Sequence, residues 1–477
     1  MKFTQYIKEN KEELKRWNQY LKSNKMLNAS IKIMKKIEKA GFKSWIVGGT
    51  VRDIILGFSP KDVDLATTMP IEKLETSFKK VYDIGKSRDF GIVVVKQDGY
   101  DFEVAQLRND GSYTNGRKPD SVSFNVSLDD DLSRRDLTIN AMAIKSDGSI
   151  VDKFNGKKDI LNKIIRTVGN PFDRFEEDHL RMLRAIRFSS KLGFKLDKDT
   201  VDAIKSKKAH IKKISIERVK EELVKMASQA GDKFANAIIA LDDVGILEII
   251  LPEITKLKDF PEERQFHPES YIDDKSSVFN HVMAALRKNK LTDPIINLSI
   301  LFHDIGKGTT YKNIDGKHTF HKHASEAKDL IDNVAKKLKL SNKEKNAIMF
   351  SAVNHMKFHR GIEMKASKIT KLVSDENWNV LKAVSLCDDS CRTGLFDKKR
   401  FNDIINKMEA ISKKWSDKIT QSSLKIIDGK RVMKLTGRRS GKSIGEIIGK
   451  VTGWVVDDGN KIPINDLIMK AHRELKE

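Results

Sequence analysis

Asp62 and Asp64, in the run Lys61-Asp62-Val63-Asp64, are the residues of this sequence most suited to chemistry. On a strand, positions i and i+2 face the same side, so their carboxylates would converge. Two like charges aimed at one point repel unless a cation lies between them. Mg²⁺ suits that place, because it accepts one or two protein carboxylates and completes its shell with water and substrate phosphates. Upstream, the apolar run Trp45-Ile46-Val47 leads into Gly48-Gly49 and then Thr50-Val51-Arg52-Asp53-Ile54-Ile55-Leu56, which has helical spacing. Strand, double glycine and helix together bring backbone N–H groups against a phosphate. The stretch thus offers a phosphate cradle and a cation clamp. A plain βα turn followed by a solvated acidic loop would carry the same residues.

The elements that must position these groups follow from the pattern. Leu27 to Lys39 has helical apolar spacing at Ile31, Ile33, Met34 and Ile37. Gly91–Val95 and Tyr100–Leu107 flank Gln97-Asp98-Gly99, a hairpin signal. Glu103 lies on the second strand, where it either completes a two-cation site or faces solvent. Residues 108–121 form a Gly/Asn/Pro-rich loop carrying Arg108, Arg117 and Lys118, either a mobile lid over a triphosphate or an idle surface loop. From Phe175 to Phe188, Arg181, Arg184 and Arg187 recur every third residue, with Asp178 three before Arg181. On one helix they share a side. An Asp and an Arg of fixed geometry can read a base edge, or can form an ordinary salt-bridged face.

Eight of the eleven histidines fall between His267 and His359. His281 lies in an apolar helix-like run, His303-Asp304 in Leu298-Ser299-Ile300-Leu301-Phe302-His303-Asp304, and His323, His355 and Asp388 follow. A lone histidine of this kind is usually a satisfied core residue. A His-Asp doublet in an apolar segment is harder to leave unpaired, since burying an uncompensated carboxylate is costly. Mixed imidazole and carboxylate donors suit Mn²⁺, Fe²⁺, Ni²⁺, Co²⁺ or Zn²⁺.

Composition bounds these readings. At 477 residues, 39% hydrophobic and 33% charged, the chain is globular with more than one domain. It has no run of 18 apolar residues, and Met1 to Lys25 lacks the apolar core of a secretory signal. Cys387 and Cys391 are the only cysteines, which points to a reducing, cytoplasmic setting; their spacing makes a poor zinc site, and they are a chance pair or a disulfide. A net charge of +23 favours a polyanionic partner such as nucleic acid, although lysine is abundant everywhere in the chain. Residues 1–27 read as a basic helical extension that touches RNA or caps a neighbour. Gly441-Lys442-Ser443 is no phosphate loop, because Thr436 stands where its first glycine is needed.

Five motifs in order carry a resemblance. Gly48-Gly49-x-x-Arg52-Asp53 with Asp62-x-Asp64, Arg134-Arg135-Asp136-Leu137-Thr138-Ile139-Asn140-Ala141-Met142, Asp152-x-x-x-Gly156-x-x-Asp159, Glu177-Asp178-x-x-Arg181-x-x-Arg184-Ala185-x-Arg187-Phe188 and Ile216 to Leu223 resemble the class II nucleotidyltransferases of the polymerase beta superfamily. That family comprises tRNA CCA-adding enzymes and bacterial poly(A) polymerases. The resemblance implies an α/β nucleotidyltransferase palm at 28–165, a helical neck and body at 166–268 that selects the nucleotide and binds RNA, and all-α domains beyond. It implies that Asp62, Asp64 and Glu103 are catalytic with Mg²⁺, that Gly48, Gly49, Arg52, Asp53, Arg135 and Asp136 serve the nucleotide, and that Asp178 and Arg181, with Arg184 and Arg187 nearby, select CTP and ATP. His179 departs from the small residue or proline usual there. The order His281, His303-Asp304, His323, His355, Asp388 resembles the HD metal-dependent phosphohydrolases, and Arg392-Thr393-Gly394 resembles the HD portion of certain CCA-adding enzymes. This implies an HD domain at 277–400 and a helical tail at 401–477. His281, His303, Asp304 and Asp388 would hold a transition metal such as Ni²⁺, Mn²⁺ or Co²⁺, extended by His323 and His355. The implied activity is addition of the tRNA 3′-terminal CCA from CTP and ATP, with hydrolysis of RNA 3′ phosphates. The alternatives are a poly(A) polymerase, and a metallophosphohydrolase or RNA-binding protein with a degenerate head.

Overall fold

The computed structural model describes residues 17–475 except 84, 86, 112, 114–115, 117–118, 273–274, 360, 393, 423–426, 440 and 459–461. Two compact units emerge, one running through Met226 and including Asn236–Ile250, the other comprising Ala227–Ala235 and Leu251 onward.

The first unit is built on a seven-stranded sheet. Its strands are β1 (Ser44–Val47), β2 (Asp64–Thr67), β3 (Val81–Tyr82), β4 (Ile92–Gln97), β5 (Tyr100–Gln106), β6 (Ala143–Ile144) and β7 (Ile150–Val151), in the order β3-β4-β5-β2-β1-β6-β7. Only β2 and β5 run parallel; the other pairs are antiparallel. The β4–β5 turn falls on Asp98 and Gly99, with φ of 52° and 86°, as an Asp-Gly hairpin requires. Helix α1 (Lys25–Lys39) packs on β1, β4 and β5 through buried Leu27, Ile33, Met34 and Ile37. Trp45, Val47, Ala66, Leu107, Leu132 and Ala143 form one core cluster. Of these, Val47, Leu107 and Leu132 contribute roughly 1.5–3 kcal/mol each when fully buried. Trp17 is buried against the turn at Gly148, so the described end of the N-terminal extension caps the head. Residues 1–16 lie outside the described chain.

The second unit is largely helical, as expected. It carries two short ribbons, Tyr271–Ile272 with Lys275–Ser276 and Lys312–Ile314 with Lys317–Thr319. Helices Val278–Lys288, Pro294–Phe302, Asn342–His359 and Trp378–Cys391 pack on one another, and His323–Lys337 packs on Asn342–His359. Farther on, the last three helices close a separate core around Val432, Ile447, Val451 and Ile468. Helix Gly429–Thr436, not a strand, precedes Gly441-Lys442-Ser443. No helix among the described residues is long and apolar enough to cross a membrane.

Candidate active site and candidate metal centre

Strand register builds the acidic site. Val47 pairs with Asp64 across β1 and β2, and Leu65 with Val104 across β2 and β5, so Glu103 stands beside Asp64. Side chains alternate across a strand, so Asp64 and Glu103 share a face. The strand begins only at Asp64, so Asp62 lies in the approach to it and not on it. The two carboxylates still come together because Val63 is buried between them, and the Thr50 hydroxyl donates to the Asp62 carbonyl at 3.0 Å; the backbone edge of Asp64 is open while its carboxyl faces the other acids. Burial, then Glu103, then Asp62 push the Asp64 carboxyl up to about 6, with Arg135 opposing. Three carboxylates in mutual repulsion suit a divalent cation.

Gly48 adopts φ 73° and ψ −135°, open to glycine and strained for other residues. A side chain there would meet Arg135 Nη1 at 3.2 Å and Asp64 Oδ2 at 3.8 Å. Arg135 is held from behind by Asp131 Oδ2 at 3.2 Å, and its Nε has no hydrogen-bond partner among the described residues. Asp131 also binds Arg134 at 2.6 Å and ends buried against burial's own pull, its carboxyl held low by the two arginines. Arg52 is buried: it donates to Asp53 Oδ1 at 2.7 Å and Asn140 Oδ1 at 2.7 Å, and lies 5.0 Å over the Phe188 ring. The motif therefore joins Arg52, Asp53, Asn140 and Phe188 into a brace behind the glycine turn.

Arg181, Arg184 and Arg187 share one helix as expected, but Asp178 is not on it. The chain breaks at Asp178 between Pro171–Glu177 and α2 (Leu180–Leu192). Asp178 is extended, at φ −138° and ψ 105°, and its side chain accepts at 3.1 Å from the N–H of Leu180, the first residue of the next helix. Each arginine then finds an acid elsewhere. Arg181 binds Glu177 and donates to the Arg134 carbonyl at 2.9 Å; Arg184 meets Asp136 at 2.6 Å; Arg187 meets Glu222 at 2.6 Å. Asp178 pairs with Arg218 at 3.3 Å, not with Arg181. Sequence reading missed Asp131, Arg218 and Glu222 as partners, although the last two stand in the motif from Ile216 to Leu223.

The loop after β5 is rooted more firmly than expected. Arg108–Asp110 pairs with Val122–Phe124, and Arg108 donates to Asp110 at 3.0 Å and to the Phe90 carbonyl at 2.6 Å. Arg108 thus anchors the ribbon and does not reach from a lid, while Arg117 and Lys118 lie outside the described residues. Tyr113 donates to Asp110 at 2.7 Å; burial first, then that bond, raises its phenol. Gly116 accepts from the His179 N–H at 3.2 Å, and a Cβ on Gly116 would lie 2.2 Å from His179 Nε2.

In the second unit, five helices deliver the histidines and aspartates to one buried point. Asp304 lies at its centre. Its Oδ2 is 3.2 Å from His303 Nε2 and 3.5 Å from His281 Nε2; its Oδ1 is 3.4 Å from His355 Nε2 and 3.5 Å from His323 Nε2. Asp388 Oδ1 lies 3.2 Å from His281 Nε2. His281 Nε2, His303 Nε2 and Asp304 Oδ1 are buried with no hydrogen-bond partner among the described residues. Unpaired nitrogen and oxygen atoms of that kind, turned inward together, fit a metal ion. Among the described residues four candidate ligand sets result: His281-His303-Asp388 and Asp304-His323-His355 at the inward Nε2 atoms, and Glu262-His267-His281 and Glu269-His281-Cys391 beside them. Burial pushes His323 down to about 4, which leaves a neutral imidazole for a metal. Against burial, Lys307 and His303 hold Asp304 well below the usual carboxylate range. Lys307, one turn after Asp304, also reaches Glu262 at 2.6 Å. Lys307, Glu262 and Glu269 were missed; only the spacing of Lys307 from the His-Asp doublet signals it. Cys387 and Cys391 are free and buried. A cavity of about 550 Å³ opens beside the centre, lined by Phe266, His318, Phe320, Lys322, Met356 and Arg392 among others.

The sheet, its acidic triad and the glycine turn define a nucleotidyltransferase head, followed by a largely helical body. Residues 44–166 match the poly A polymerase head domain, and residues 193–258 match the probable RNA and SrmB-binding site of polymerase A. More particularly, the curated relatives it matches are CCA-adding enzymes. The chain is 46% identical over 197 residues to the CCA-adding enzyme of Ligilactobacillus salivarius (strain UCC118), which covers 41% of this chain and 48% of that protein. It is 43% identical over 202 residues to the CCA-adding enzyme of Bacillus subtilis (strain 168), covering 42% and 50%. The matched stretch spans about half the length of these curated relatives. The fold is shared with the crystal structure of the Bacillus stearothermophilus CCA-adding enzyme in complex with CTP, at TM-score 0.66 and 24% identity over 95% of this chain and 99% of that one.

Proposed function

We propose that the chain adds and repairs the 3′-terminal CCA of tRNA from CTP and ATP. The observation that carries this reading is the Asp62-Asp64-Glu103 triad beside the open Gly48 turn, in a head whose relatives are CCA-adding enzymes. In the reaction a tRNA 3′-hydroxyl attacks the α-phosphorus of the nucleotide and pyrophosphate leaves. Asp62, Asp64 and Glu103 would hold Mg²⁺, which when bound activates the attacking hydroxyl and offsets phosphate charge. Arg135, braced by Asp131 and with a donor to spare, is suited to the triphosphate. Asp178 and Arg218 present a carboxylate and a guanidinium side by side, the donor and acceptor kinds a base edge needs. The test is incubation of tRNA transcripts ending before, within and after CCA with each labelled nucleotide. Completion of CCA and no more is expected. Long A tails on unrelated RNA, without CTP use, would assign a poly(A) polymerase.

A second reading concerns the other unit. Its buried His/Asp centre favours a transition-metal site that hydrolyses phosphate esters such as RNA 3′ phosphates or 2′,3′-cyclic phosphates. The inward-facing orphan atoms of His281, His303 and Asp304 support it. His281, His303, Asp304 and Asp388 would hold one ion, with His323 and His355 extending the site. Such a metal supplies a hydroxide nucleophile near neutral pH. Elemental analysis after loading with Ni²⁺, Mn²⁺ or Co²⁺ tests it; a protein that binds none would leave this region as helical scaffold.

A further inference from the structure

All four histidines of the buried centre turn Nε2 inward, so each must place its Nδ1–H elsewhere. Three use backbone carbonyls one turn back: His303 on Ile300 at 2.7 Å, His323 on Phe320 at 2.9 Å, His355 on Ala352 at 2.8 Å. His281 differs. Its Nδ1 lies 2.7 Å from Glu269 Oε1, a side chain only 4% exposed. We propose that Glu269 is a positioning residue, which accepts the Nδ1–H of His281 and so presents an unprotonated Nε2 to the metal.

The surrounding chain holds Glu269 in place for this. It sits in the single turn Pro268–Ser270 ahead of helix Val278–Lys288. Ser270 donates to the His267 carbonyl at 2.8 Å, Asn280 donates to the Ser270 carbonyl at 2.9 Å, and Tyr271 pairs with Ser276. The turn is therefore tied to the first turn of the helix that carries His281. The His267 ring also meets Glu269 Oε1, at 3.0 Å, and packs edge-on to His281. Cys391 is the rival partner, but its Sγ is 3.7 Å from His281 Nδ1 and donates to the Asp388 carbonyl at 2.9 Å. A partner behind a ligating imidazole, whether carboxylate or carbonyl, fixes its tautomer and ring orientation and raises its basicity, and an ionised carboxylate makes the stronger bond.

The inference rests on the metal-centre reading, and Co²⁺ binding by the full-length protein separates the two. If wild-type protein binds no Co²⁺, that reading fails. Given wild-type binding, Glu269→Ala should weaken Co²⁺ affinity by about 10- to 100-fold. Glu269→Gln, which keeps an acceptor oxygen without the charge, should fall between. Cys391→Ser, which keeps a donor to the Asp388 carbonyl, should bind like wild type. Glu269 variants as tight as wild type, or an equal loss in all three variants, would overturn the assignment. A measurement on unmutated protein guards against misfolding: ¹⁵N-histidine spectra of protein loaded with diamagnetic Zn²⁺ should show His281 protonated at Nδ1 and not at Nε2, and the opposite tautomer would overturn it as well.

Discussion

Replacing Asp64 with Asn should make the cation-free head more stable while ending its chemistry. The carboxyl of Asp64 sits at about 6, against an ordinary 3.8, because of burial and then the Glu103 and Asp62 charges. A carboxyl whose folded value is raised is protonated in both states below about pH 4 and costs nothing there. As pH rises to about 6 the unfolded chain releases its proton first, so the folded state is progressively penalised; above that the penalty is constant. Two units correspond to a ceiling of about 3 kcal/mol. Water at the open edge of the site screens this to about 1–2 kcal/mol. Asparagine has the same shape and no charge, so the gain should raise the melting temperature by about 2–8 °C for a unit of this size. Calorimetry at pH 4 and pH 8, with and without Mg²⁺, reads the effect. The variant should melt above wild type at pH 8 and with it at pH 4, Mg²⁺ should stabilise wild type more than the variant, and labelled CTP incorporation should be lost. Equal melting at pH 8, or the same increment at both pH values, would refute the repulsion on which the cation site rests.

Asp62→Ala should abolish nucleotide addition and leave tRNA affinity in a gel-shift assay largely intact, because basic residues elsewhere meet the RNA backbone; near wild-type turnover would remove Asp62 from the site. Arg218→Ala should release Asp178 from its pair and raise UTP and GTP misincorporation more than it lowers total addition, measured with each nucleotide separately. Unchanged selectivity would place the template elsewhere. Gly116→Ala forces a side chain into the His179 ring at a φ of 57°, and should cost about 2–4 kcal/mol; in a His179→Ala background only the backbone strain of about 1 kcal/mol should remain. Additive losses in that double-mutant cycle would show that the two residues do not meet. The double variant His303→Ala, Asp304→Ala should lose Co²⁺ binding and any phosphoester hydrolysis while retaining CCA addition, and loss of addition in a folded variant would show that the two chemistries are not independent.

Local pattern by itself determined the elements that begin and turn the head. Alternating apolar residues select a strand, a positive-φ Asp-Gly selects the hairpin, and period 3.6 selects α1; each is decided by neighbours within a few positions. The types that gather metals were legible for the same reason, since a carboxylate pair or a His-Asp doublet is chemically expensive wherever it falls. What the sequence could not specify was partnership. Asp178 was expected beside Arg181 on one helix, but its side chain accepts from the Leu180 N–H and its carboxylate meets Arg218, forty residues away. Arg184 belongs to Asp136 and Arg187 to Glu222 across similar gaps. Glu269 lies between the domains expected at 166–268 and 277–400, and only the fold sets it 2.7 Å from His281. An ion pair or an imidazole hydrogen bond forms over about 3 Å and carries no trace in sequence separation. Periodicity reports which face a residue takes, and tertiary packing alone decides what that face meets.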